Sequence, residues 1–305
     1  MASTYLTLVN NVLRDMNEVE LTSSNFASSR GVQTTVKDYI NRAISDILNS
    51  ELNWPFTRAE GSVDAIAGKQ LYSFASIAST LKYIDYDNVF LQPKDYIANG
   101  DFEIDGSASI TNWTTVSGSP AASSKFGNTL LLTSAKATQE VSDLIVGKSY
   151  VVLVQTSGST LTLDIGTSSG GTQTKSSTLT IASGNEVLLS EVTFTATATT
   201  HYVTFTETAG SAAYVKLVQL MENIKAIPLK YLSYEEYNER YRERDARPDT
   251  DKFADPEFVY TTYNDELGLT PIPDTSNRTL KFDYYVTNTD LTAHGDTGII
   301  PTRFE

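Results

Sequence analysis

The feature that most constrains this chain is an interruption. Residues 1–98 and 223–305 are rich in charged and aromatic side chains and read as the two halves of a small mixed α/β unit. Residues 99–222 between them contain no Arg, and about a third of them are Ser or Thr. A foreign domain is tolerated where a host chain makes a surface loop. The expected organisation is a host in two parts, 1–98 and 223–305, carrying an inserted β-sandwich at 99–222.

The length of 305 residues fits about two domains. The formal charge is −14, and five Lys against ten Asp and Glu give the insert −5, leaving −9 for the host. Wrapping nucleic acid requires Lys and Arg to displace counterions, so this balance argues against gripping DNA. It is compatible with an acidic channel along which a duplex slides. There is no Cys, which excludes disulfides, thiol nucleophiles and Cys-ligated zinc. The N-terminus has neither a basic region nor a long apolar run, so no signal peptide is expected. No stretch approaches the length of a membrane span.

The first host part opens with a helix capped by Ser3 or Thr4. Tyr5, Leu8, Val9, Val12, Leu13 and Met16 form one apolar stripe on it. A second helix repeats the spacing with Val36, Tyr39, Ile40, Ala43, Ile44, Ile47 and Leu48. The expected result is a helical hairpin burying both stripes against each other. Glu51-Leu52-Asn53-Trp54-Pro55-Phe56 then forms an apolar plug, read either as core or as a contact with a neighbouring subunit. Residues 62–67 and 70–74, split by Gly68-Lys69, read as a hairpin. In the second part, Ser233-Tyr234-Glu235-Glu236 is a capping box opening a helix to about Asp245. Tyr234, Tyr237 and Tyr241 line one side of it. Leu280, Phe282 and Tyr284 alternate with Lys281, Asp283 and Tyr285 as a strand.

The insert shows short strands at steady spacing, the pattern of a sandwich. Leu161, Leu163 and Ile165 alternate with Thr162 and Asp164, and Val192, Phe194 and Ala196 with Thr193 and Thr195. Thr-rich faces suit a pleated, half-exposed surface. Sugar contact calls for exposed aromatics beside hydrogen-bonding groups. Trp113, Phe126, Tyr150, Tyr202 and Tyr214 are the candidates, and their alternation with polar residues reads equally as core.

Four segments of the insert carry a resemblance. They are Asn99-Gly100-Asp101-Phe102-Glu103, Trp113, Gly147-Lys148-Ser149-Tyr150, and Tyr214 through Leu220. Together they resemble the jelly-roll modules of the family 4/9 carbohydrate-binding type. That family commonly holds a structural calcium, but Lys216 stands about where the acidic residue would be, so no metal is carried over. The host resembles the head-to-tail adaptors of short-tailed bacteriophages, the tail tubular protein A family. Its segments are the paired helices ending in Asn53-Trp54-Pro55-Phe56, then Gly68-Lys69-Gln70-Leu71-Tyr72. Pro228-Leu229, Ser233-Tyr234-Glu235-Glu236 and Leu269 to Asp274 follow, with Asp290-Leu291 and Ile300-Pro301 at the end. The insert departs from the minimal adaptor, and such proteins continue with more helix where this sequence ends at Glu305.

The fold class expected is therefore α+β: a helical hairpin or bundle with a small antiparallel β part, interrupted by an all-β jelly-roll sandwich. The adaptor resemblance implies a structural virion protein of the phage neck, made in the host cytoplasm. It implies a homo-oligomeric ring of about a dozen copies between portal and tail, extending the DNA channel and docking tail nozzle or fibre proteins. Trp54, Phe56, Tyr234, Tyr237, Tyr241 and Arg244 are the candidate subunit or portal contacts. The insert is expected to face outward for decoration, bracing or glycan contact. The alternative is a carbohydrate-binding tail accessory protein in which the jelly roll is the main function. No enzyme is expected. The two histidines, His201 and His294, stand beside no plausible nucleophile, Gly170-Gly171 reads as a loop tip, and neither catalytic residues nor cofactors nor a metal site are indicated.

Overall fold

The computed structural model describes residues 3–51, 53–103, 110–179, 186–248 and 252–301. Leu52 of the aromatic plug and residues 302–305 of the closing segment lie outside these. The chain starts with α1 (Tyr5–Asp15) and α2 (Val32–Ser50), then β1 (Arg58–Asp64), β2 (Leu71–Ser73), α3 (Phe74–Ile77) and β3 (Leu81–Pro93). Ten strands follow: β4 (Thr114–Ser117), β5 (Ala121–Ser123), β6 (Thr129–Leu132), β7 (Lys136–Val141), β8 (Ser149–Gly158), β9 (Leu161–Gly166), β10 (Lys175–Leu179), β11 (Leu188–Thr195), β12 (His201–Thr206) and β13 (Ala213–Glu222). The chain then forms β14 (Ile227–Pro228), β15 (Lys230–Tyr231), α4 (Tyr234–Arg240), α5 (Arg242–Ala246), β16 (Phe258–Thr261), β17 (Glu266–Thr270) and β18 (Arg278–Val286). It divides into two compact units. One comprises residues 1–91, 227–276 and 280–305, the other residues 92–226 and 277–279.

The expected fold class is wrong in its weighting. Among the described residues the protein is mostly β, 40% strand against 19% helix, in four sheets, and the first unit is not a helical bundle. It holds two four-stranded sheets, β1-β18-β3-β14 and β15-β16-β17-β2. The expected hairpin across Gly68-Lys69 does not form, because its two arms join different sheets. β1 lies against β18, and β2 pairs antiparallel with β17, Tyr72 opposite Leu267. The buried Tyr72 hydroxyl then accepts from the Ile66 N–H at 2.9 Å. Leu280, Phe282 and Tyr284 of β18 are buried as the alternation implies, beside Ile84, Leu91 and Leu269.

The two long helices form where expected. Thr4 caps α1, its hydroxyl accepting from the Thr7 N–H at 3.3 Å. The helices bury only part of their stripes. Tyr5, Val9, Leu13, Val36, Ile44 and Leu48 are inside, whereas Val12, Met16, Tyr39 and Ile47 are exposed. Ser233 closes its capping box: its hydroxyl accepts from the Glu236 N–H at 3.2 Å, and Glu236 accepts from the Ser233 N–H at 3.3 Å.

The second unit is a sandwich of two five-stranded antiparallel sheets, β10-β9-β12-β7-β4 and β11-β8-β13-β6-β5. The chain alternates between them so that β6-β13-β8-β11 faces β7-β12-β9-β10, the strand order of a jelly roll. β5 and β4 each extend one edge. Inward residues at period two fill the space between the sheets, among them Tyr150, Val152, Leu163, Phe205 and Val218, all fully buried. Each such side chain stabilises the fold by about 1.5–3 kcal/mol. Gly100 is required where the chain enters this unit, because a Cβ there would run into the carbonyl oxygen of Val218.

Candidate functional site

The outer face of the β10-β9-β12-β7-β4 sheet is built by the same alternation that fills the core. Leu161, Leu163 and Ile165 of β9 point inward, so Thr162, Asp164 and Gly166 point outward. On β12, His201, Val203 and Phe205 are inward, which leaves Tyr202, Thr204 and Thr206 outside. β7 presents Lys136, Thr138 and Glu140. The strand registers align these into rows. One runs Ser176, Asp164, Thr204, Thr138, Thr114 across all five strands. The next runs Thr178, Thr162, Thr206, Lys136, Ser117, and a third places Gly166, Tyr202 and Glu140 side by side.

This face is therefore almost wholly hydroxyl, carboxylate and amine, with one aromatic ring. Asp164 accepts from the Ser176 hydroxyl at 2.6 Å and from Thr206 at 3.4 Å, and the hydroxyls of Thr138 and Thr204 meet at 2.8 Å. The Tyr202 hydroxyl donates to Glu140 at 2.8 Å. That bond, then partial burial and the carboxylate charge, raises the phenol's pKa, so Tyr202 stays a donor.

A strap crosses the face. Residues 167–174 leave β9 and return to β10, yet the Gly170 carbonyl accepts from Lys136 Nζ on β7 at 3.2 Å. A Cβ on Gly170 would lie 3.2 Å from Val116 on β4, so the loop passes in front of β12 and β7. Gln173 ties the strap together, accepting from the Thr167 N–H and donating to Ser168 Oγ, both at 3.2 Å. Asp164, Thr138 and Thr204 are 4%, 2% and 0% exposed although they point away from the core. Tyr202, Glu140, Ser176, Thr178 and Thr114 remain accessible. Sequence reading reached Tyr202 but not Glu140, Asp164 or Lys136, which become neighbours only through strand register.

The other expected sugar-contact residues separate. Tyr150 is fully buried, its hydroxyl accepting from the Ile145 N–H at 2.8 Å. Trp113 packs against Phe102 and Phe205 at 5.4 and 5.7 Å and lines a small cavity of about 130 Å³. Phe126 and Tyr214 meet on the outer face of the opposite sheet.

In the first unit, the expected contact residues are engaged internally. Tyr237 is buried and stacks on Tyr260 at 3.9 Å, with Tyr234 at 6.1 Å from both rings. Tyr241 packs against Phe258, and Arg244 bonds to Asp245 and Thr270. Trp54 and Phe56 stack at 5.4 Å and pack against the helix core, half-buried. The exposed halves of the helix stripes instead form an apolar groove between α1 and α2, with hollows of about 460 and 350 Å³ lined by Val12, Met16, Tyr39, Ala43 and Ile47. Among the described residues, no three His, Cys, Asp or Glu side chains converge to hold a metal ion, and no helix is long and apolar enough to cross a membrane.

No protein-family model and no curated protein matches this chain. Solved structures similar to part of it include the enzymatically active domain of bacteriophage CBA120 tailspike protein 4, with 14% identity and a TM-score of 0.34, over 42% of this chain and 21% of the tailspike chain. They also include TmCBM61 in complex with β-1,4-galactotriose, at 17% identity and TM-score 0.33, over 43% of this chain and 99% of that one. A CBM4 module is similar at 13% identity and TM-score 0.33, over 42% and 99%.

Proposed function

We propose that this protein binds carbohydrate through the outer face of the β10-β9-β12-β7-β4 sheet, as an accessory component of a phage tail. The observation that carries the reading is the part of that face the strap leaves accessible: Ser176 and Thr178 on β10, Thr114 on β4 and the Tyr202–Glu140 pair, all held in place by strand register. A pyranose presents adjacent hydroxyls that both donate and accept. Ser and Thr hydroxyls match them in either sense, and Glu140 accepts charge-assisted bonds. The Tyr202 ring supplies an apolar surface, and the strap forms a wall. No catalytic role is assigned.

On a glycan array, the full chain is expected to bind a restricted set of oligosaccharides. Tyr202→Ala is expected to weaken that binding about tenfold or more, the loss of one charge-linked donor and its ring. Tyr150→Phe, deep in the core, tests for indirect effects. An array with no binder, or binding unchanged in Tyr202→Ala, contradicts the reading.

The groove between α1 and α2 favours a second role for the other unit, that of an assembly module. Exposed Val12, Met16, Tyr39 and Ile47 form a contiguous apolar surface, the kind that marks interaction sites. We propose that this unit attaches the protein within the virion. The specific form of that proposal is the adaptor: a homo-oligomeric ring at the neck, contacting a portal protein on one side and nozzle or fibre proteins on the other, with DNA passing through. Electron microscopy of source virions is expected to find a ring of this chain between head and tail. A few copies at fibre tips reject the ring and leave the sugar reading standing, whereas none in the particle rejects both the ring and the tail placement.

A further inference from the structure

The loop between β5 and β6 holds Phe126 at φ +63°, a left-handed conformation that bulky residues rarely adopt and that strains the backbone. Core burial does not offset that strain, because Phe126 is half-exposed and lies outside the hydrophobic core of its unit. What the conformation achieves is a meeting with Tyr214, 88 residues away, edge to face at 5.6 Å and 77°. Tyr214 points outward from β13, since its neighbours Ala213 and Val215 are fully buried. It stands opposite Leu131 of β6 and Ser157 of β8.

Two polar groups adjoin this pair. Lys125 Nζ lies 4.6 Å from the Tyr214 ring centre and 5.0 Å from that of Phe126, and among the described residues it has no carboxylate partner. Ser157 shares the face and stands beside Tyr214; it is 1% exposed, and its buried hydroxyl has no hydrogen-bond partner. Such a group is costly unless something bonds to it. The insert that surrounds this lysine carries a net charge of −5 and no Arg.

We propose that Phe126, Tyr214, Lys125 and Ser157 form a second sugar site, on the β11-β8-β13-β6-β5 sheet, for an acidic pyranose such as a hexuronate or a sialic acid. The Tyr214 ring packs against the C–H face of the sugar ring, with the Phe126 ring standing at a steep angle beside it. Lys125 swings from the rings to the sugar carboxylate, and the Ser157 hydroxyl supplies a donor once Tyr214 shifts over the bound ring. Sugar chemistry is favoured because the aromatic surface is small and is flanked by one cation and one hydroxyl.

This site is independent of the opposite face, and variants separate the two. The probes are oligogalacturonate, alginate oligomers and sialyl oligosaccharides, each beside a neutral analogue, titrated into the full chain by calorimetry. At least one acidic probe is expected to bind about tenfold more tightly than its neutral counterpart. Lys125→Met is expected to remove that preference, Tyr214→Ala to abolish binding, and Tyr202→Ala to leave it unchanged. Tyr214→Phe, which keeps the platform, is expected to retain it. The proposal is overturned if no acidic probe binds at millimolar concentration. It is also overturned if Lys125→Met and Tyr214→Ala bind as well as the parent, or if Tyr202→Ala removes the binding.

Discussion

Phe205→Ala is expected to destabilise the jelly-roll unit by about 3–5 kcal/mol, the range for emptying an aromatic site in a packed core. Phe205 is fully buried on β12, and its ring rests 5.7 Å from that of Trp113. Its alternation partner Val203 is equally inaccessible. β12 itself is held by pairing on both sides, to β7 and β9, so its backbone does not close the gap. Each unit holds one of the two tryptophans, Trp54 and Trp113. Urea denaturation of a Trp54→Phe background therefore reports the jelly roll alone. The midpoint is expected to fall with the slope unchanged. A shift worth under about 1 kcal/mol would mean that the two sheets are not packed as described.

Asp245→Ala is expected to cost the first unit a similar amount, about 3–5 kcal/mol, for an electrostatic reason instead of a packing one. Asp245 is 7% exposed and is the acceptor at the centre of a network. One carboxylate oxygen takes bonds from Gln70 Nε2 at 2.8 Å and Thr270 Oγ1 at 2.9 Å, the other from the Arg244 guanidinium at 2.8 and 3.0 Å. Gln70 also donates to the Tyr237 hydroxyl at 2.9 Å. Truncation leaves a guanidinium, an amide and a hydroxyl without their acceptor, and loosens the Tyr237–Tyr260 stack above them. Thr270→Val removes the hydroxyl that donates to Asp245 and accepts from Arg244 but keeps the charge pair, and is expected to cost less, about 1.5–3 kcal/mol. Trp54 fluorescence in a Trp113→Phe background measures both. Equal effects from the two substitutions would show that the carboxylate is not the hub.

Elements with a local signature were legible in the sequence. The apolar stripes of α1 and α2, the Ser233–Glu236 capping box and the alternation of β9, β11 and β18 each depend on residues a few positions apart, so pattern alone finds them. The balance between helix and sheet was not legible. β2, β14 and β15 are too short for a period of two to register. β3 carries polar and aromatic groups on both faces. The hairpin expected at Gly68-Lys69 failed because β1 and β2 find better partners some two hundred residues away. The candidate sugar-contact residues were scattered for the same reason in finer detail. Aromatic residues can be picked from composition, but Tyr150 went to the core and Tyr214 to the surface by the parity of their strands. Glu140 and Tyr202 meet only through the register of β7 on β12. The internal use of Tyr237 and Arg244 was equally hidden, since Tyr260 and Thr270 belong to other elements.

The central claim is that the outer face of the β10-β9-β12-β7-β4 sheet holds a sugar. Backbone hydrogen–deuterium exchange of the full chain, with and without the tightest-binding neutral glycan from the array, tests it most directly. The account predicts slower exchange in residues 136–141, 161–166 and 201–206 and in the strap at 167–174, with the opposite sheet unchanged. Protection confined to residues 125–131 and 213–217, or no protection in either sheet at saturating glycan, would contradict it.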